Sequence, residues 1–170
     1  MLENRQALID MRAAYAHTLE AQTKKILVCA GTGCVAGGAL DIFARLEKLL
    51  KDRGIDCAVE LEKEAHDHPV GLKKSGCHGF CEMGPLVRLE PWGYLYTRVK
   101  GEDCEEIVEK TILRGEHIER LAYTQNGEVY KKQDDIPFYK KQTRQVLEHC
   151  GQIDATSINE YLAIGGYSAF

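Results

Sequence analysis

The chain has 170 residues, 44% apolar and 28% charged, with a net charge of −4, enough for one well-formed domain plus an extension. The mildly acidic balance lacks a basic segment and argues against nucleic-acid binding. No run approaches the roughly 20 apolar residues of a membrane span, and the opening "MLENRQALID" has no signal-peptide pattern.

Residues 3–20 are expected to form a helix, because Leu8, Met11, Tyr15 and Leu19 recur at three- and four-residue steps. "KKILVCA" (24–30) is a short apolar run ending near glycine and predicts a buried strand. "GALDIFARLEKLLKDRG" follows as a helix, with Ala39, Ile42, Phe43, Leu46, Leu49 and Leu50 on one face and Gly54 as its stop. "IDCAVELEK" (55–63) alternates like a strand, and "VGLKKSG" (70–76) is a further strand candidate. "PLVRLEPWGYLYTRVKG" has the form of a hairpin turning at Pro91-Trp92-Gly93. "EDCEEIVEKTILRG" predicts a helix with Ile107, Val108, Thr111 and Ile112 inward. A βαβ unit followed by ββα suggests a small α/β layer fold of thioredoxin type.

The character changes after residue 115. Asn126-Gly127 offers a turn between two short strands within the polar stretch 116–133. "IPFYKKQTRQVLEHCG" predicts a helix from Pro137 to Gly151. A second short helix lies in "DATSINEYLAIGGY", capped by Asp154 or by Ser157 with Glu160. The chain stops at Phe170, just past "GGYS". Residues 134–170 are therefore expected to open something larger or to form an arm that docks on a partner.

Seven cysteines are an odd number, which excludes a fully paired disulfide framework. The expected compartment is the cytoplasm, where structural disulfides are uncommon in any case. Four of the seven stand out. Cys29 and Cys34 lie in "LVCAGTGCVAGG"; Cys77 and Cys81 lie in "SGCHGFCEMGP". Four thiolates suit either a structural zinc or an iron–sulfur cluster. The glycines favour the cluster: Gly31, Gly33, Gly37, Gly38, Gly76, Gly79 and Gly84 crowd both loops. Backbone N–H groups reach the sulfurs of a net-negative cluster most easily where no Cβ intervenes. Gly38 also opens a helix whose N-terminal dipole could face the site. Spacing alone leaves zinc open. A dithiol redox enzyme lacks its C-x-x-C, and the remaining reading makes all seven cysteines small buried hydrophobes.

"CAGTGCVAGGA" with "SGCHGFCEMGPLV" resembles the thioredoxin-like 2Fe-2S ferredoxin domain. The implied architecture is α/β: an N-terminal helix (1–23), the 2Fe-2S domain (24–115), a linker or hairpin (116–133) and a C-terminal helical extension (134–170). The resemblance implies that Cys29, Cys34, Cys77 and Cys81 are the cluster ligands, one pair per iron. "DIPFYKKQTRQVLEHCGQID" and "SINEYLAIGGY" are similar to the opening segment of the NADH-oxidising flavoprotein subunit of complex I. A ferredoxin domain fused ahead of that segment resembles the β subunit of electron-bifurcating, NAD(P)-linked iron-only hydrogenases. On that likeness FMN and NAD(P) belong to a part of the parent beyond this stretch. The partners would be other subunits of a hydrogenase or NADH-oxidising complex, and a ferredoxin. The function implied is one-electron relay through the cluster, with no catalytic acid, base or nucleophile. The alternative is a zinc-stapled interaction domain without redox activity.

Other residues read more blandly. Cys57, Cys104 and Cys150 are expected to be packing residues. His66 and His68 in "AHDHP" form a short H-x-H that is usually solvated. His78 adjoins a proposed ligand and could tune it. Trp92 is expected to cap the hairpin, with a partner contact as the alternative. Lys73 and Lys74 form a weak basic patch that could steer an acidic carrier.

Overall fold

The computed structural model describes residues 4–63 and 70–169. His66 and His68 lie outside the described residues. The elements in order are helix α1 (Arg5–Ala21), strand β1 (Lys24–Cys29), helices α2 (Thr32–Ala36) and α3 (Ala39–Asp52), and strands β2 (Cys57–Ala58), β3 (Val70–Ser75), β4 (Val87–Glu90) and β5 (Tyr94–Tyr96). They continue with helix α4 (Cys104–Glu106), extended by a π-helical stretch (Ile107–Leu113), the hairpin β6 (Tyr123–Gln125) and β7 (Glu128–Tyr130), and helices α5 (Pro137–Lys140) and α6 (Ile158–Ala163).

Five strands make one sheet in the order β2-β3-β1-β4-β5. β1 is parallel to β3, and β3 to β2; β4 and β5 run antiparallel as a hairpin on the other side. The alternation in β1 sends Ile26 and Val28 to one face, where they join Val70, Leu72, Val87, Leu89 and Leu95. α3 covers this face with Ile42, Phe43, Leu46 and Leu50, and α4 with its π-helical extension adds Ile107, Val108 and Ile112. Tyr96 pins that helix to the sheet: its hydroxyl donates to Thr111 Oγ1 over 2.7 Å and accepts from Ile118 N–H over 3.0 Å.

The opposite face is covered by the two ends of the chain. α1 packs against α6. Beneath α6, Lys73 Nζ on β3 meets Glu160 Oε1 at 3.0 Å, with both side chains 1% exposed. Glu160 Oε2 accepts from Asp154 N–H, and Lys73 Nζ also donates to Val59 O. Lys73 is therefore a buried tether, which corrects its expected place in a surface patch. Lys74 is exposed and sits over the Phe43 ring.

Two other expectations need correction. The strand expected over 55–63 shrinks to Cys57–Ala58, because the next carbonyls turn toward side chains: Val59 O accepts from Lys73 and Leu61 O from Asn159. The helix expected from Pro137 to Gly151 lasts only through Lys140. Ile136 and Tyr139 are buried, but the positions that would continue the apolar stripe, Val146 and Leu147, are 98% and 60% exposed, so nothing holds further turns. The Asn126-Gly127 turn forms with φ of +53° and +82°. Ser157 caps α6, accepting from Glu160 N–H. Trp92 stacks on Tyr94 at the hairpin, with Lys24 above its ring.

Candidate metal centre

β1 and β3 are parallel neighbours that end in register, Cys29 opposite Ser75. The loop that leaves β1 carries Cys34 on α2; the loop that leaves β3 carries Cys77 and Cys81. Parallel strands deliver their following loops to one end of a sheet, so both cysteine loops emerge together. Ala30 N–H bonds Ser75 O at 2.9 Å and Cys29 N–H bonds Leu86 O at 3.0 Å, which clamps the base of the site.

Cys29 and Cys34 are buried, whereas Cys77 and Cys81 are exposed, with their sulfurs 3.8 Å apart. The loops touch at glycines. A Cβ at Gly31 would lie 3.0 Å from Cys77 Sγ, and one at Gly84 only 2.8 Å from Cys34 Sγ. Glycine is what lets each backbone approach the other pair's sulfur.

Donors converge on the thiols. The Cys34 thiol beside Cys29 draws the Cys29 pKa down to about 6; burial opposes this, and backbone N–H groups of His78 and Gly31 and the Cys77 thiol assist. The hydrogen bond to Cys29, burial and the negative charge of Cys29 push Cys34 up. Burial raises Cys77, against the Gly79 N–H that reaches its sulfur at 3.3 Å. Several thiols in one place resist joint ionisation, and a bound cation relieves that repulsion. Cys29 adjoins both Cys34 and Cys77, and Cys77 adjoins Cys81. The donor set of four thiols, the glycine contacts and the N–H groups fit an iron–sulfur cluster.

The chain's tail braces the second loop. Arg144 Nη2 donates to His78 O at 2.7 Å. Phe80 stacks on Phe138 at 4.9 Å and meets Tyr139 edge-on at 5.7 Å. Gly76 N–H reaches Ile153 O, and Ser75 bridges to Asp154. The His78 ring is fully buried between Ser75 Oγ (2.9 Å from Nε2) and Gln133 Oε1 (3.1 Å from Nδ1). Burial lowers its pKa to about 4, so it is neutral at pH 7. Gln133, Tyr139 and Arg144 reach this loop only by long-range packing, which no local pattern signals. Cys57 and Cys104 lie elsewhere, with burial lifting each thiol to about 11. Cys150 sits against the Gly76 backbone.

A mixed α/β layer with four thiols gathered at one end of its sheet is the arrangement of a thiolate metal centre. Residues 14–112 match the family described as thioredoxin-like 2Fe-2S ferredoxin. The chain belongs to that family, whose members are 2Fe-2S electron carriers. A "Ferredoxin, 2Fe-2S" of Clostridium pasteurianum is 40% identical over 62 residues, 36% of this chain and 61% of the relative. One of Aquifex aeolicus is 47% identical over 51 residues, 30% and 46% respectively. Each match spans less than two thirds of the curated relative. A solved thioredoxin-like 2Fe-2S ferredoxin of Aquifex aeolicus is 28% identical with a TM-score of 0.49, over 64% of this chain and 96% of that one. Among the described residues no helix is long and apolar enough to cross a membrane.

Proposed function

We propose that Cys29 and Cys34 hold one iron, and Cys77 and Cys81 the other, of a 2Fe-2S cluster through which the domain relays single electrons. The observation that carries this reading is the in-register ending of β1 and β3, which brings both cysteine loops to one end of the sheet. When bound, the cluster supplies reversible one-electron chemistry, at about −400 mV if it behaves like plant-type all-cysteine centres. The chain's own part is to hold and bias it. The N–H groups of Gly31, His78 and Gly79 offset negative charge at the sulfurs. Buried Cys29 and Cys34 shield one side, while exposed Cys77 and Cys81 leave the other open to a partner.

The finer reading concerns the tail. Residues 135–154 and 157–167 are similar to the opening segment of NADH-oxidising flavoprotein subunits. On that likeness the chain is the amino-terminal portion of a hydrogenase or NADH dehydrogenase-like subunit. FMN and NAD(P) would bind further along the parent, with cluster-bearing subunits or a ferredoxin as partners. The contacts of Phe138, Tyr139 and Arg144 with the second cysteine loop support this reading, since they would couple such a segment to the cluster's surroundings.

Iron and acid-labile sulfide analysis of anaerobically purified protein tests the core proposal. Wild type is expected to contain both, with visible absorption bleached by dithionite. Cys77→Ser should lose that absorption, whereas Cys57→Ser and Cys104→Ser should keep it. A colourless protein containing zinc would overturn the proposal.

A further inference from the structure

Tyr139 is a tail residue that packs against the second cysteine loop and carries an unpartnered polar atom. Its ring is 7% exposed and its hydroxyl is buried with no hydrogen-bond partner among the described residues. A buried hydroxyl left without a partner is uncommon, and the exceptions call for an explanation such as an absent ligand. The ring is held on several sides. Pro137 starts α5, buried Ile136 anchors it, Phe80 meets the ring edge-on, and the Arg144 guanidinium lies 5.2 Å above it. Phe80 itself stands between the proposed ligands Cys77 and Cys81 in sequence.

The neighbouring polar side chain on this loop, His78, has both ring nitrogens engaged. The other buried atoms without partners lie elsewhere: on Arg12 near Gly165, on Gln22 near Gly71, and on His117 beside Tyr94. Burial raises the Tyr139 pKa; Arg144 opposes the rise, and negative charge on Cys29 and Cys77 adds to it. The hydroxyl therefore keeps its proton at neutral pH. An O–H with no acceptor in the protein, on a ring packed against Phe80 of the Cys77–Cys81 loop, is a donor in search of one.

We propose that the Tyr139 hydroxyl donates a hydrogen bond to a sulfur of the cluster held by Cys29, Cys34, Cys77 and Cys81, and that this bond raises the cluster's midpoint potential. The inference rests on the cluster assignment above. Reduction adds negative charge to the sulfurs, so a donor stabilises the reduced form more than the oxidised one. Tyr139 is thus a tuning residue by which the tail acts on the domain's redox behaviour.

The test is redox titration of the loaded full chain as wild type, Tyr139→Phe and Tyr130→Phe; Tyr130 donates to Glu128 on the β6–β7 hairpin and serves as control. Tyr139→Phe is expected to titrate at a more negative potential and to lose part of the deuterium sensitivity of its Fe–S stretching bands. Tyr130→Phe is expected to match wild type. Since the Tyr139 hydroxyl bonds nothing in the protein, its removal should leave the melting temperature of the cluster-free chain unchanged or higher. Replacing tyrosine with 3-fluorotyrosine, a stronger donor, is a second arm and should move the potential upward. An unshifted potential in both arms, or a lower melting temperature for cluster-free Tyr139→Phe, would overturn the proposal. Absence of iron from wild type would instead remove the cluster assignment.

Discussion

Gly84 sets the tightest tolerance near the thiols. A methyl group there would sit 2.8 Å from Cys34 Sγ and 3.2 Å from Cys81 O, and neither is the far end of a flexible chain. Overpacking of this kind costs about 1–3 kcal/mol. Gly84→Ala is expected to lower the thermal midpoint and the iron content per chain. Gly101→Ala, whose Cβ would only touch the mobile end of Arg45 at 3.6 Å, should change little by the same measurements. His78 gives a pH signature in the cluster-free chain. Its folded pKa, about 4, lies below the ordinary 6.5, so the unfolded chain binds more protons between those values. Stability from keeping the ring neutral is full above about pH 6.5 and is lost as pH falls toward 4, by about 3 kcal/mol. Denaturant midpoints at pH 4.5 and 7.5 should show that loss, and His78→Gln should show less of it. The two cysteine loops were legible in sequence as a candidate site because glycine-padded pairs carry their signal locally. The neutrality of His78 was not, because it comes from burial by residues distant in sequence, such as Gly151, and holds against the opposing hydrogen bond of Gln133.

At the scale of elements, the join between α6 and the sheet rests on one charged pair. Lys73 and Glu160 are each 1% exposed, so removing one charge strands the other in the interior. Breaking such a pair costs about 3–5 kcal/mol, whereas replacing both members with apolar residues is often nearly neutral. Glu160→Gln is expected to move the urea midpoint down sharply, and Lys73→Met with Glu160→Leu to recover most of the loss. Equal losses in the single and double variants would contradict this account of the tether. Strands β1, β3, β4 and β5 and helix α3 follow their sequence periodicity closely, because each has one continuous buried face. The helix expected to end at Gly151 failed for the complementary reason. Its first turn buries Ile136 and Tyr139, and then the chain spends its remaining contacts on the cysteine loop through Arg144. Capping and periodicity see neighbours along the chain and cannot see a partner in another loop.

Taken whole, the molecule packs its two ends on the sheet face opposite α3 and sends the tail across the second cysteine loop. The mean composition and net charge said nothing of this arrangement. Gln133, Phe138, Tyr139, Arg144 and Asp154 all touch residues 75–80. The tail belongs physically to the surroundings of the thiols. The claim on which all of this depends is that the four sulfurs jointly bind two irons. Low-temperature electron paramagnetic resonance of the anaerobically purified chain, reduced with dithionite, tests it most directly. A spin-one-half signal integrating to about one spin per two irons is the result predicted for a reduced 2Fe-2S centre. A silent spectrum from protein whose thiols hold zinc, or from a chain that binds no iron, would contradict it.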